Sequence, residues 1–408
     1  MIKTYKVMLL PNNKQNTKMF QTAGSARYAY NWTVARQMES LEQTGLYLSE
    51  SDIRKEFTIH KQDNQWLYDI SNNATKQSVR DCCDAFINFS KSKNKVGYVP
   101  YNKKQISKAM KDDCRLTRYE MNGHPKFKKK GICTPSFYID TDKIQITDTH
   151  VKLEKIADST RKNRAKANWI KLAEKNRIPT DVKYYNPRVA FDGIHWWFSV
   201  GVEVYEQITP ASNKGIGIDV GIKDLAVCSN STVYENINKT KEVKRLKKKK
   251  RRLQRSISRK YIKNKEGESY CKTNNIVKSE KELLKLNHRL TDIRHNHIHQ
   301  VTTEIIKQKP SFIVTEDLNV KGMMKNKHLS QAIQEQCLAE FISLIEYKSY
   351  WNGIEYIRAD RYYPSSKLCH ICKTVKEDLM LKDRTYKCEY CKNTIDRDLQ
   401  ATLNLRDY

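Results

Sequence analysis

At 408 residues the chain is long enough for about two or three domains with a sizeable core, and its 13 glycines and 9 prolines form no flexible tract between them. The 76 lysines and arginines against 46 acidic residues leave a net charge of +30, which would repel itself in a compact fold unless a polyanion neutralises it; nucleic acid is the usual one. No stretch approaches the roughly 20 apolar residues of a membrane span, the opening MIKTYKVMLLPNNKQ has too short an apolar run for a signal peptide, and an odd eleven cysteines fit a reducing interior better than a disulfide framework.

In chain order, KTYKVMLLP alternates with Tyr5, Val7 and Leu9 on one face and predicts a strand. From about Thr22 the pattern turns helical in TAGSARYAYNWTVARQMESLE and again in NATKQSVRDCCDAFINFSKS, with apolar residues three and four apart. Tyr28 and Trp32 are expected to serve helix packing, and Cys82 and Cys83 to be small core residues. A loose basic stretch follows, of which 101–123 reads as an insertion without an assigned role. Strands return in SFYIDTDKIQI and VKYYNPRVAFDGIHWWFSVGVEVYE, where Asp192-Gly193 signals a hairpin. Tyr184, Trp196 and Trp197 are expected in the sheet core.

The second half opens with KGIGIDVGIKDLAVCSN. Ile216, Ile218 and Val220 alternate with Gly217, Asp219 and Gly221, so Asp219 faces away from the apolar side of a strand. Residues 241–260 hold twelve lysines and arginines and one glutamate. A helix so basic all round would not fold stably alone, and it suits phosphate contacts as well as it suits a solvated face. A long helical pattern then leads to SFIVTEDLNV, a strand ending at Glu316, and to another helix in QAIQEQCLAEFISLIEYKSYWNG. Strands alternating with helices argue for an α/β domain.

Near the end, Cys369, Cys372, Cys388 and Cys391 follow C-x2-C-x15-C-x2-C, the spacing of two knuckles that present four thiolates to one structural Zn2+. His370 is then expected at the surface, not as a further ligand. With zinc satisfied by sulfur, Asp396 and Asp398 are free for other work; either could cap the helix that follows. Asp219, Glu316 and an aspartate opening the terminal helix form an ordered set that could converge on hard cations. Two Mg2+ roughly 3.5–4 Å apart would activate water and stabilise the leaving oxygen in phosphodiester hydrolysis.

The second half resembles the RuvC-type, RNase H-like nuclease domain of TnpB proteins, the transposon-encoded RNA-guided endonucleases. GIGIDVGIKDLAV is similar to their first catalytic segment, IVTEDLNVKGM to the second and IDRDLQATLNL to the third. A zinc ribbon preceded by YYPSSKLCHIC stands before the third segment, and LLPNNKQ, GSARYAYNW and PKFKKKG extend the likeness into the N-terminal half. The resemblance implies catalytic, magnesium-holding carboxylates at Asp219, Glu316 and Asp398, with Asp396 a neighbour that caps or tunes. It implies α/β plus β architecture: a β-barrel wedge domain over 1–18 and 125–207, an inserted helical recognition domain over 19–124, the nuclease domain over 208–364 and 393–408, and the ribbon over 365–392. It implies a monomer holding one guide RNA derived from the transposon end. Such a protein would cut DNA complementary to the guide next to a short flanking motif, using protein contacts for that motif. Its location would be cytoplasmic and nucleoid-associated in a prokaryote, or nuclear in a eukaryote, with no membrane partner. Asn72, Asn73, Lys76 and Gln77 fall in the helix expected to face the motif, with side chains able to read base edges. Lys244, Arg245, Lys248, Arg251, Arg252 and Arg255 are expected against guide RNA or heteroduplex phosphates, alongside double- and single-stranded target DNA.

The chain departs from the family pattern at several positions. Lys373 and Lys392 stand where the knuckles usually carry glycine, which predicts strain or a different turn. Gln400 and Thr402 replace a usual asparagine and alanine, and Asn296 a usual aspartate. A guide-directed repressor that binds without cutting, a compact type V CRISPR effector and a DNA-joining transposase share parts of this pattern. Repressor relatives lose the carboxylate set, which is complete here.

Overall fold

The strand expected at the start forms over Ile2–Leu10, with Val7 and Leu9 buried on one face as alternation requires. The computed structural model describes residues 2–156, 167–204, 214–267, 269–380 and 383–408. The first helix begins well before Thr22. Asn12 Oδ1 accepts from the Gln15 amide at 3.0 Å while Gln15 Oε1 accepts from the Asn12 amide at 2.9 Å, a capping box that starts the helix Asn13–Thr44. Residues 13–18 therefore belong to this helix and not to the β layer. It ends on Gly45 at φ 72, where a side chain would be strained.

By its internal packing the chain divides into two compact units, Met1–Tyr205 and Glu206–Tyr408. In the first, helices Glu50–Gln62 and Asn72–Lys93 pack on the long first helix through Ala29, Ile53, Phe57, Val79 and Cys83, with Tyr28 and Trp32 against the same cluster. Cys82 joins a neighbouring cluster with Val34 and Phe86. The 101–123 stretch contains a short helix, Lys103–Lys111, again started by a capping box between Asn102 and Gln105.

The β layer of this unit is a seven-stranded antiparallel sheet in the order Ser136–Tyr138, Tyr184–Phe191, Trp196–Glu203, Ile2–Leu10, Trp169–Leu172, His150–Lys152, Gln145–Ile146. Its two longest C-terminal strands are joined at Asp192-Gly193, the expected hairpin, with Gly193 at φ 97. Trp196 and Tyr184 pack into the sheet core. Trp197 takes the opposite face, its indole donating to Asp192 Oδ2 at 2.6 Å and its ring 4.8 Å from Lys6 Nζ.

The second unit is built on a five-stranded sheet in the order Val233–Glu235, Asp224–Cys228, Ile216–Val220, Phe312–Glu316, Glu355–Ala359. The first three strands are an antiparallel meander; Phe312–Glu316 then pairs parallel with both of its neighbours. One face packs Ile216, Ile218 and Ile313 against the long helix Asn274–Lys307 and the helix Leu338–Trp351 through Ile298, Ile305, Phe341 and Ile345. The other face packs Val314 and Ala359 against Leu405 of the C-terminal helix Arg397–Arg406. Strand order and helix placement together form an RNase H-like α/β lobe.

The basic run is not basic all round. It forms the helix Lys241–Lys263, and Val243, Leu246 and Ile257 are buried along one stripe. Val243 and Leu246 pack with Leu286 and Leu290 of the long helix, so the two form an amphipathic hairpin. Burial of that stripe supplies the stability that the charge pattern denies to the isolated segment.

Candidate functional site

Parallel pairing sets Thr315 opposite Ile218, so Asp219 and Glu316 stand one step further along neighbouring strands. Alternation sends Ile218 into the apolar core and turns Asp219 to the face covered by the C-terminal helix, whose first turn holds Asp398. Gly217 permits this close approach. A β-carbon there would stand 2.1 Å from the Thr402 carbonyl oxygen and 2.5 Å from the Arg406 nitrogen.

Asp219 is pushed up to about 7, first by burial and then by the charges of Glu316 and Asp398, with Arg397 pulling the other way. The three carboxylates thus share one electrostatic neighbourhood. Asp398 is flanked by Arg397 Nε at 3.7 Å and Arg384 Nη1 at 3.8 Å. Asp396 is the helix cap: its Oδ1 accepts from the amides of Asp398 at 2.9 Å and Leu399 at 3.1 Å. Its carboxylate is committed to the main chain, which leaves Asp398 to face the strands. Glu316 Oε1 accepts from Ser365 Oγ at 2.5 Å. Among the described residues the three carboxylates are not a set whose donor atoms all lie within 4.8 Å of one another.

The four cysteines are such a set. Cys369 and Cys391 sulfurs are 3.5 Å apart, as are those of Cys372 and Cys388. Zn–S bonds of about 2.3 Å in a tetrahedron imply sulfur separations of about 3.8 Å, so the donor set fits zinc. Lys373 and Lys392 adopt φ 59 at the knuckle ends. The turns are those glycine usually makes, and the two lysines carry the strain. Lys392→Gly is therefore expected to raise the chain's resistance to thermal loss of metal by up to about 1 kcal/mol, read as a shifted midpoint for zinc release. A second group with close donor atoms is His295, Cys337 and Glu340, which includes a His295–Glu340 contact of 3.1 Å.

The second knuckle leads straight into the carboxylate site. Strand Thr394–Asp396 pairs antiparallel with Thr385–Lys387, and its last residue is the cap of the C-terminal helix. The first knuckle is tied to the same helix. His370 Nδ1 lies 2.7 Å from Gln400 Oε1, while the Gln400 and Asn404 amides both donate to the Leu368 carbonyl at 2.5 Å. His370 is thus half-buried and bonded, not a plain surface residue. Gln400 and Thr402, departures in sequence, are fully buried.

The six basic residues Lys244, Arg245, Lys248, Arg251, Arg252 and Arg255 are all exposed on the outer side of their helix. On the helix Asn72–Lys93 only Lys76 of the four base-reading candidates is exposed without an intramolecular hydrogen bond among those described. The Asn72 side chain accepts from Lys61, Asn73 donates to Glu154 at 3.2 Å, and Gln77 donates to Asp81 at 2.9 Å. Lys61 is itself pushed down to about 8 by burial and by Lys76 and Lys155. Sequence reasoning missed Ser365, Arg384, Arg397 and the close approach at Gly217; of these, Gly217 and Arg397 stood in quoted motifs beside candidate acids.

Three family models match the chain: a "Helix-turn-helix domain" of the OrfB/IS605 type over residues 1–45, the "Probable transposase" of the same OrfB/IS605 type over 198–327, and the "Cas12f1-like, TNB domain" over 339–405. A Streptomyces pristinaespiralis protein named "Putative RNA-guided DNA endonuclease" is 26% identical over 99% of this chain and 88% of its own. The similarly named InsQ of Escherichia coli K12 is 24% identical over 99% of this chain and 91% of its own. A TnpB-like protein of Methanocaldococcus jannaschii is 30% identical over 27% of this chain and 41% of its own. Among solved structures, the mini-RNA-guided endonuclease Cas-phi3 aligns with 99% of this chain and 92% of its own at 11% identity and a TM-score of 0.49. The segments matched at 1–45 and 198–327 are those of OrfB/IS605-type proteins. Over nearly its whole length the chain is similar to proteins named putative RNA-guided DNA endonucleases.

Proposed function

We propose that the protein is an RNA-guided, metal-dependent DNA endonuclease whose cleavage centre is Asp219, Glu316 and Asp398. The observation that carries this reading is the half-hidden Asp219 carboxylate, held at about 7 by burial and two further carboxylates on one face of the sheet. Such a cluster is costly unless cations neutralise it, and an all-oxygen donor set favours Mg2+. Ligands of a single Mg2+ at about 2.1 Å lie at most about 4.2 Å apart. The wider spread of these three suits two ions, which supply water activation and stabilisation of the leaving oxygen. Asp219 and Asp398 would bind metal directly, and Glu316 would bridge or orient it.

In this reading the four thiolates hold a structural zinc with no open position. Residues 1–12 and 125–207 would act as the wedge, 13–124 as the recognition part, 208–364 and 393–408 as the nuclease, and 365–392 as the ribbon. The names of the relatives support guide RNA and target DNA as partners. No described helix is long and apolar enough to cross a membrane. The exposed row from Lys244 to Arg255 would neutralise phosphates of the guide or heteroduplex. Replacing all six with glutamine is expected to flatten the salt dependence of RNA binding, by about 0.7–0.9 in log–log slope for each phosphate no longer neutralised. Filter binding across a salt series reads this, and an unchanged slope removes the helix from the interface.

The deciding experiment is to sequence the RNA that copurifies with the protein and to offer DNA matching its 3′ end. A variable guide at that end and Mg2+-dependent cutting of the matched DNA are expected. Binding without any cut would leave a guide-directed repressor.

A further inference from the structure

We infer that Ser365 is a positioning residue for the cation-binding carboxylates, fixing Glu316 through its hydroxyl and tying it to the helix of Asp398 through its main chain. The inference rests on the reading of Asp219, Glu316 and Asp398 as cation ligands. Ser365 precedes the first knuckle and is only 4% exposed, so its hydroxyl has little access to water. A serine hydroxyl has one proton to give, and here it goes to Glu316 Oε1 at 2.5 Å. One carboxylate oxygen is thereby held, and the carboxylate plane at the strand end is set with the other oxygen left for a cation.

The hold is itself anchored. The Ser365 carbonyl accepts from Asn404 Nδ2 at 2.7 Å, and its amide donates to the Tyr363 carbonyl at 2.8 Å. The Tyr363 hydroxyl in turn donates to the Asn404 carbonyl at 3.2 Å. Asn404 is fully buried and lies on the helix that Asp398 opens. Glu316 and Asp398, far apart in sequence and on different elements, are therefore spaced through Ser365 and Asn404. Partners of this kind, which touch the ligand and not the ion, orient it and tune its basicity.

The test uses the full-length, zinc-loaded chain without RNA and Mn2+ as the probe, with free Mn2+ read by electron paramagnetic resonance and zinc content by atomic absorption. Ser365→Ala is expected to weaken Mn2+ binding by about 10–100-fold with zinc content unchanged. Ser365→Thr, which keeps the hydroxyl, should restore most of the affinity. Wild-type Mn2+ affinity in Ser365→Ala overturns the inference. So does an affinity equally lost in the alanine and threonine variants, because the hydroxyl would then not be the cause. Asp219→Ala and Glu316→Gln in the same assay separate the two claims. If neither weakens Mn2+ binding the carboxylate reading itself falls, whereas weakening by both alongside an unaffected Ser365→Ala removes only the serine.

Discussion

Asp219→Ala is expected to reduce DNA cleavage by at least ~10³-fold while guide-RNA binding stays as in the wild type. In the proposed centre the aspartate is the one acted on by both neighbouring carboxylates, so its loss would deprive the cations of a ligand. The basic surface proposed for RNA lies on another helix and is untouched. Neutralising the same position with Asp219→Asn should have the opposite effect on stability. Asp219 rises from 3.8 in a free chain to about 7 in the fold, so its ionised form is disfavoured by folding. In Mg2+-free buffer the wild type should lose stability as pH rises from about 4 through 7, and Asp219→Asn should not. Thermal unfolding across that window, followed by Mg2+ addition, checks the sign. Cleavage at the wild-type rate by Asp219→Ala would overturn the assignment of the centre.

Gly217→Ala is expected to be nearly as damaging, although residue 217 meets no substrate in this reading. The added carbon would lie 2.1 Å from the Thr402 carbonyl oxygen, and main chain cannot swing aside as a flexible side chain can. The C-terminal helix must lift from the sheet, taking Asp398 away from Asp219 and Glu316. Overpacking of this kind typically costs about 1–3 kcal/mol and occasionally more. A lowered melting temperature together with cleavage reduced well beyond the loss of folded protein is the expected pair of results. A variant that melts and cuts like the wild type would show that the helix has room to spare.

Period-two alternation placed Asp219 opposite the apolar side, and the strand ending at Glu316 emerged where the sequence indicated. Those features depend on local pattern. The helix start did not emerge, because the eye follows apolar spacing while the Asn12–Gln15 capping box sits in a polar stretch ahead of it. The basic helix misled for a related reason: Val243, Leu246 and Ile257 are too few to stand out among lysines, yet they define its buried stripe. Asp396 and Asp398 could not be told apart on spacing alone. The structure separates them by giving one to the main-chain amides. Ser365 was legible only as part of a motif, since its partner lies 49 positions away and no periodicity connects them.

The Leu368 carbonyl, shared by the amides of Gln400 and Asn404, bears on how such chains diversify. A cysteine-bearing loop borrowed from a relative would arrive without the two amides shaped to receive it, and a borrowed terminal helix would lack its acceptor. Exchange between lineages, whether by natural recombination or in chimaeras built at the bench, should therefore succeed when everything from Ser365 to Asn404 travels as one cassette. Crossovers placed between the knuckles and the helix should yield poorly folding hybrids.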